Sequence, residues 1–205
     1  MRRTLYFIVV GLLAITASTA KAADYDYFGT IRYHNEILQF NFSVLTSDTR
    51  TFFSSSWDDG GFDPTLALWD EFGNIIALQD DGLYTGSTTS NGVSYTHGVW
   101  DTFLSVFLDP GNYILTMTVY NNFNNGTNLS DGFFLQDEYP ILLTALEPSA
   151  YGVNQDFYAF HILNVETATG PGGPIPTPEP SAFLLFGSGI IGLIVFTRRN
   201  RVATK

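Results

Sequence analysis

The sequence predicts an all-β fold, an antiparallel β-sandwich of jelly-roll or Ig-like type. Three observations carry this. Through residues 24–164 apolar and polar residues alternate with period two, not 3.6. Gly, Pro, Asn and Asp gather between the alternating runs. No convincing amphipathic helix of any length interrupts them.

The runs justify themselves in order. In Ile37–Val44, Leu38, Phe40, Phe42 and Val44 face one way and Gln39, Asn41 and Ser43 the other. Thr102–Leu108 is apolar on both faces, so both are expected to be covered. Tyr113–Tyr120 alternates Ile114, Thr116 and Thr118 against Tyr113, Leu115, Met117 and Val119, and Asp156–Leu163 closes the series. Such aromatic and β-branched runs suit a pleated, half-buried surface. Gly73-Asn74 supplies a turn between two apolar strands, and Pro110-Gly111 sits at the centre of another. Two stretches are expected as long loops: the polar, Gly-rich 80–100 and the Asn-rich 121–132.

Both ends of the chain differ from this body. Residues 1–22 read as a signal peptide: Arg2 and Arg3, an apolar run from Leu5 to Ile15, then Ala20 and Ala22 as the small residues of a cleavage site. An uncleaved anchor is the alternative. Residues 23–164 form the expected sandwich domain, and the Pro/Gly-rich 165–180 the expected linker. In 181–205 an uncharged apolar run is followed by Arg198, Arg199 and Arg201. It is just long enough for a single transmembrane helix, and its basic end places the C-terminus in the cytoplasm and the body outside.

Pro178-Glu179-Pro180, the apolar run Ala182–Phe196 and Arg198-Arg199 together resemble the PEP-CTERM sorting signal of bacterial exported proteins. The resemblance implies an inner-membrane precursor cut near the tripeptide by an exosortase-type membrane transpeptidase. It also implies delivery to the cell surface or to an extracellular polysaccharide matrix, the setting of a biofilm. A permanent single-pass anchor obeys the same physics.

The chain holds 20 acidic residues, and all of them fall between 23 and 180, against Arg32 and Arg50 alone. Such a surface repels phosphates, so no nucleic acid partner is expected. Cys is absent, so an exported domain must rely on its core, on a metal, or on both. Asp58, Asp59, Asp63, Asp80, Asp81 and Asp101 fall at strand ends or in loops. Their convergence would suit calcium, which takes six to eight oxygen ligands. Asp is also common in turns for its local hydrogen bonds. Without thiolates, and with only His34, His97 and His161 far apart in sequence, no transition metal is expected.

The stretch 58–82 with 100–120 resembles the bacterial pre-peptidase C-terminal type of domain. The residues that carry this are Phe62-Asp63-Pro64, Leu66, Leu68, Gly73-Asn74, Ile76-Ala77, Asp80-Asp81, Asp101, Leu104, Leu108, Gly111, Tyr113, Leu115 and Val119. The resemblance implies a jelly-roll-like sandwich and, in some members, bound calcium. No catalytic domain precedes it here, so no peptidase activity carries over.

The expected role is therefore non-catalytic, adhesive or structural, with calcium as a stabilising ion. A carbohydrate-binding module is the first alternative, with Tyr84, Tyr95 and Trp100 as aromatic faces for extracellular polysaccharide and Trp69 packed inside. A glycoside hydrolase built on paired carboxylates is the second. No serine nucleophile elbow lies in the body; the nearest string, around Ser188, is inside the apolar tail.

Overall fold

Among the described residues, twelve strands form two five-stranded sheets and a separate hairpin, all antiparallel. The computed structural model describes residues 21–82, 85–146, 155–173 and 175–176. The strands are β1 (Ala23–Thr30), β2 (Leu38–Val44), β3 (Asp48–Ser54), β4 (Pro64–Asp70), β5 (Ile75–Gln79) and β6 (Gly86–Ser90). They continue as β7 (Val93–His97), β8 (Phe103–Leu108), β9 (Gly111–Val119), β10 (Phe157–Val165), β11 (Thr167–Thr169) and β12 (Ile175–Pro176).

The first sheet runs β12-β1-β10-β3-β8 and the second β11-β2-β9-β4-β5. The chain passes from sheet to sheet at β1–β2, β2–β3, β3–β4, β8–β9, β9–β10, β10–β11 and β11–β12, so the two sheets are built together rather than one after the other. Among the described residues only β4–β5 is a local hairpin within a main sheet, turned by Gly73 at φ 83°. There Asp70 accepts the backbone N–H groups of Phe72 (2.9 Å) and Asn74 (2.8 Å) on Oδ1.

Alternation fills the space between the sheets. Phe40 and Phe42 of β2 meet Phe160 of β10 (4.7 Å between ring centres) and Phe52 of β3 (5.0 Å). Leu66, Leu68, Leu115, Met117, Val119 and Ile162 complete a fully buried core. The outward Trp69 is buried too, beneath Phe133 of the segment after β9, and its indole N–H donates to Thr116 Oγ1 at 2.9 Å.

Four expectations change. Gly111 opens β9 rather than sitting mid-turn, so Asp109 and Pro110 alone cross between sheets. Ser105 and Phe107 are exposed, because β8 is an edge strand covered only near Phe103. The linker expected from 165 begins as structure: Val165 and Ala168 are buried, and β11 and β12 add an edge strand to each sheet. Residues 80–100 are not simply loop. Gly86–Ser90 and Val93–His97 pair around Asn91-Gly92, whose φ angles of 48° and 83° are those of a tight hairpin turn. This hairpin lays Val93 and Tyr95 over Phe53, Phe103 and Leu163 on the outer face of the first sheet. Because Gly92 holds a left-handed φ, Gly92→Ala should weaken the hairpin by about 1 kcal/mol. Faster amide exchange confined to 86–97 is the expected readout.

Among the described residues no helix is long and apolar enough to cross a membrane. Residues 1–20 and 177–205, which hold most of the expected signal peptide and the whole spanning run, lie outside them.

Candidate metal centre

The register of one hairpin assembles the acids. Leu66 of β4 pairs with Gln79 of β5, so the residues following Gln79 lie across from those preceding Leu66. Asp80 and Asp81 thereby meet Asp63. One carboxylate oxygen from each of the three lies within 4.8 Å of the others. That separation is about twice a calcium–oxygen bond, so all three can reach one ion.

The three are not equally satisfied. Asp63 is only 5% exposed, and its Oδ1 accepts no hydrogen bond. Its backbone carbonyl is already taken by the Tyr120 N–H at 2.8 Å. Asp81 Oδ1 is likewise buried and unpartnered, while Asp80 Oδ1 accepts from Thr65 Oγ1 at 2.9 Å. Burial pushes the Asp63 carboxyl up to about 8, and the negative charges of Asp81, Asp80 and Asp101 push the same way. Burial also raises Asp80, against the Thr65 hydrogen bond, and raises Asp81, with the Asp80 charge adding to it. Three carboxylates this close resist joint ionisation unless a cation offsets them. The donor set is all oxygen and two of its buried oxygens are unused, which fits calcium.

Asp101 stays outside the group for a specific reason. It is buried, but its oxygens are already employed. Oδ1 accepts from Ser54 Oγ (2.6 Å), Ser56 N (3.1 Å) and Trp57 N (3.3 Å), and Oδ2 accepts from Gly98 N (2.7 Å). It clasps two loops and contributes charge, not a free ligand atom. Gly82 lies against the same clasp: its N–H donates to the Asp101 carbonyl at 2.7 Å, and a Cβ there would meet that oxygen. Asp58 and Asp59 sit exposed on the tight turn after Ser56, and neither belongs to the group.

The aromatic residues also divide. Trp100 is 44% exposed and lies 6.2 Å from the Trp57 ring. Tyr95, expected at a binding surface, is buried instead; the hairpin turns it inward, where its ring meets His161 at 4.5 Å. Tyr84 lies outside the described residues, as do the sorting residues Pro178, Glu179, Pro180, Arg198 and Arg199 and the cleavage residue Ala20.

A second polar cluster went unseen in the sequence. Asp26, His161 and Ser55 form a hydrogen-bonded row on the outer face of the first sheet, at 2.7 Å for each link. They are widely separated along the chain and share no local motif.

Residues 176–200 match the PEP-CTERM protein-sorting motif. The tail carries a sorting signal. The expected tripeptide, Pro178-Glu179-Pro180, and the pair Arg198-Arg199 lie inside the matched segment. A PEP-CTERM tail marks an exported protein sorted by an exosortase, a membrane enzyme. The chain is also 28% identical, over an alignment of 140 residues that covers 64% of it, to an Arabidopsis thaliana protein described as a probable transcription factor. The chain spans only 29% of that protein's length, and the similarity assigns no family.

Proposed function

We propose that the chain is an adhesive or structural protein of the cell surface or extracellular polysaccharide matrix, with its β-sandwich fastened by calcium at Asp63, Asp80 and Asp81. Export begins with cleavage of the signal peptide after residue 22 and ends with exosortase-type processing near Pro178–Pro180. The observation that carries the calcium reading is the buried, unpartnered Asp63 Oδ1 beside two further carboxylates. Likeness to pre-peptidase C-terminal domains, some of which hold calcium, supports the same ion. The cation would join the end of β5 to the start of β4, and so hold the entry to the β6–β7 hairpin against the second sheet. Thr65 would orient Asp80 through its hydroxyl.

Calorimetric titration with calcium tests the site. One ion per chain is expected, lost in Asp81→Ala; no heat at millimolar calcium would overturn the assignment. Intact-mass measurement of the protein recovered from its host tests the sorting. A product ending near residue 180 is expected, and one retaining Lys205 would make the tail a permanent anchor.

The exposed Trp100 beside Trp57 favours a second reading, a carbohydrate-binding surface, since flat aromatic faces suit pyranose rings. A glycan-array signal abolished by Trp100→Ala would select it.

A further inference from the structure

We propose that Ser55 is a base-activated nucleophile that takes an acyl group from carboxylic esters. This goes beyond the structural role above and is independent of the calcium site. Ser55 Oγ lies 2.7 Å from His161 Nε2, and His161 Nδ1 lies 2.7 Å from Asp26 Oδ1. An ionised carboxylate only accepts hydrogen bonds, so Nδ1 carries a proton, and in the neutral imidazole Nε2 is then left to accept from the Ser55 hydroxyl. That is the arrangement of nucleophile, base and orienting acid used in acyl transfer on unrelated folds.

The sheet supplies the alignment. Asp26 and His161 sit opposite one another in the β1–β10 ladder, and His161 sits opposite Phe53 in the β10–β3 ladder. Ser55 follows the end of β3, and its N–H donates to the Ala159 carbonyl at 3.0 Å. The imidazole is 2% exposed and held between Tyr95 (4.5 Å) and Phe53 (4.7 Å). Asp26 is held by its second oxygen, which accepts from the Tyr95 hydroxyl at 3.4 Å. The base is thus dry and fixed, while Ser55 itself is partly open to solvent.

In the reaction the Ser55 Oγ–acyl bond forms as its proton passes to His161 Nε2. The ester C–O bond breaks, and the same proton leaves on the departing alcohol. Water reverses the sequence and releases the acid. One element of an efficient esterase is weak here. The backbone N–H groups of Ser56 and Trp57 are committed to Asp101 and cannot support the oxyanion. Such donors contribute roughly 100- to 1,000-fold each. Their loss slows acylation and deacylation alike, so only an ester with a readily departing leaving group should acylate Ser55 faster than water releases the acid, and turnover should be slow.

The full-length chain in detergent, mixed with p-nitrophenyl acetate, should release one equivalent of nitrophenol in a burst. Peptide mapping should place the acetyl group on Ser55, with Ser54 and Ser56 unmodified. His161→Gln and Asp26→Asn should slow the burst by about 100-fold or more, and Ser55→Ala should abolish it. Unfolding the wild-type chain in urea should also abolish it, so the comparison holds even where a variant fails to fold. No acetyl on Ser55 of the folded wild-type chain, or equal labelling in urea or in His161→Gln, would overturn the proposal and make the row a packing device.

Discussion

Replacing Asp63 with Asn should stabilise the calcium-free protein at pH 8 and, in the same molecule, remove its stabilisation by calcium. The reason is the direction of the Asp63 shift, from an ordinary 3.8 to about 8. An acid whose folded value is raised holds a proton in the folded chain that the unfolded chain has already released. Unfolding then releases a proton between these two values, so stability falls as pH rises across that window. It is level below about 4 and again above about 8. Asp80 and Asp81, raised in the same direction, add to the slope. Calcium reverses the situation, because it needs the ionised form and competes with the proton. The wild-type melting temperature without metal should therefore decline from pH 5 to pH 8. Calcium at a hundredfold excess over its Kd should restore about 2.7 kcal/mol, or roughly 5–10 °C. Asn at 63 keeps the shape and removes the charge, so the metal-free slope should flatten and the calcium increment vanish. Thermal melts of both proteins, with calcium and with chelator, at three pH values decide this. Equal calcium increments in wild type and Asp63→Asn would remove Asp63 from the site.

Asp101→Ala should cost more than any turn or cap substitution in the domain, about 3–4 kcal/mol, because it orphans buried donors. The Ser54 hydroxyl and the N–H groups of Ser56, Trp57 and Gly98 all lose their acceptor together. A fall in melting temperature of roughly 10 °C is expected. Asn at 101 should recover part of this, since its amide oxygen can still accept on the crowded side. Calcium stoichiometry should be unchanged in both variants, which separates a loop clasp from a ligand. A loss of calcium binding in Asp101→Asn, with the fold intact, would return Asp101 to the metal group.

The strands between the sheets were legible because their alternation is strong: Phe40 and Phe42 against Asn41, Leu115 and Met117 against Thr116. Where apolar signal is thin, the strands leave little trace in the sequence. The β6–β7 hairpin is built of Ser, Thr and Gly with only Val93 and Tyr95 to bury, yet Asn91-Gly92 between two alternating runs was a usable sign. Strand β11 has a single apolar residue, Ala168, and owes its place to pairing with β2. Asp63, Asp80 and Asp81 were visible as acids at strand ends, but nothing local told them from Asp58, Asp59 or Asp101. The β4–β5 register drew the first three together, and the donors around Asp101 set it apart. The row of Asp26, Ser55 and His161 depends wholly on which strands become neighbours, and strand order is not written in any short stretch of sequence.

The ladder that joins β12 to β1 also gives the domain a polarity. Ile175 pairs with Asp26 and Pro176 with Tyr25, so the chain reaches Pro176 heading back toward the pole where it entered at Ala23. The turns around Ser54–Asp63 and Gly98–Thr102 lie at the opposite pole, beside the Thr30 end of β1. An eight-residue strand is roughly 26 Å long. The tryptophan pair Trp57–Trp100 and the three-acid group therefore sit about one strand length from the pole where the described chain ends at Pro176.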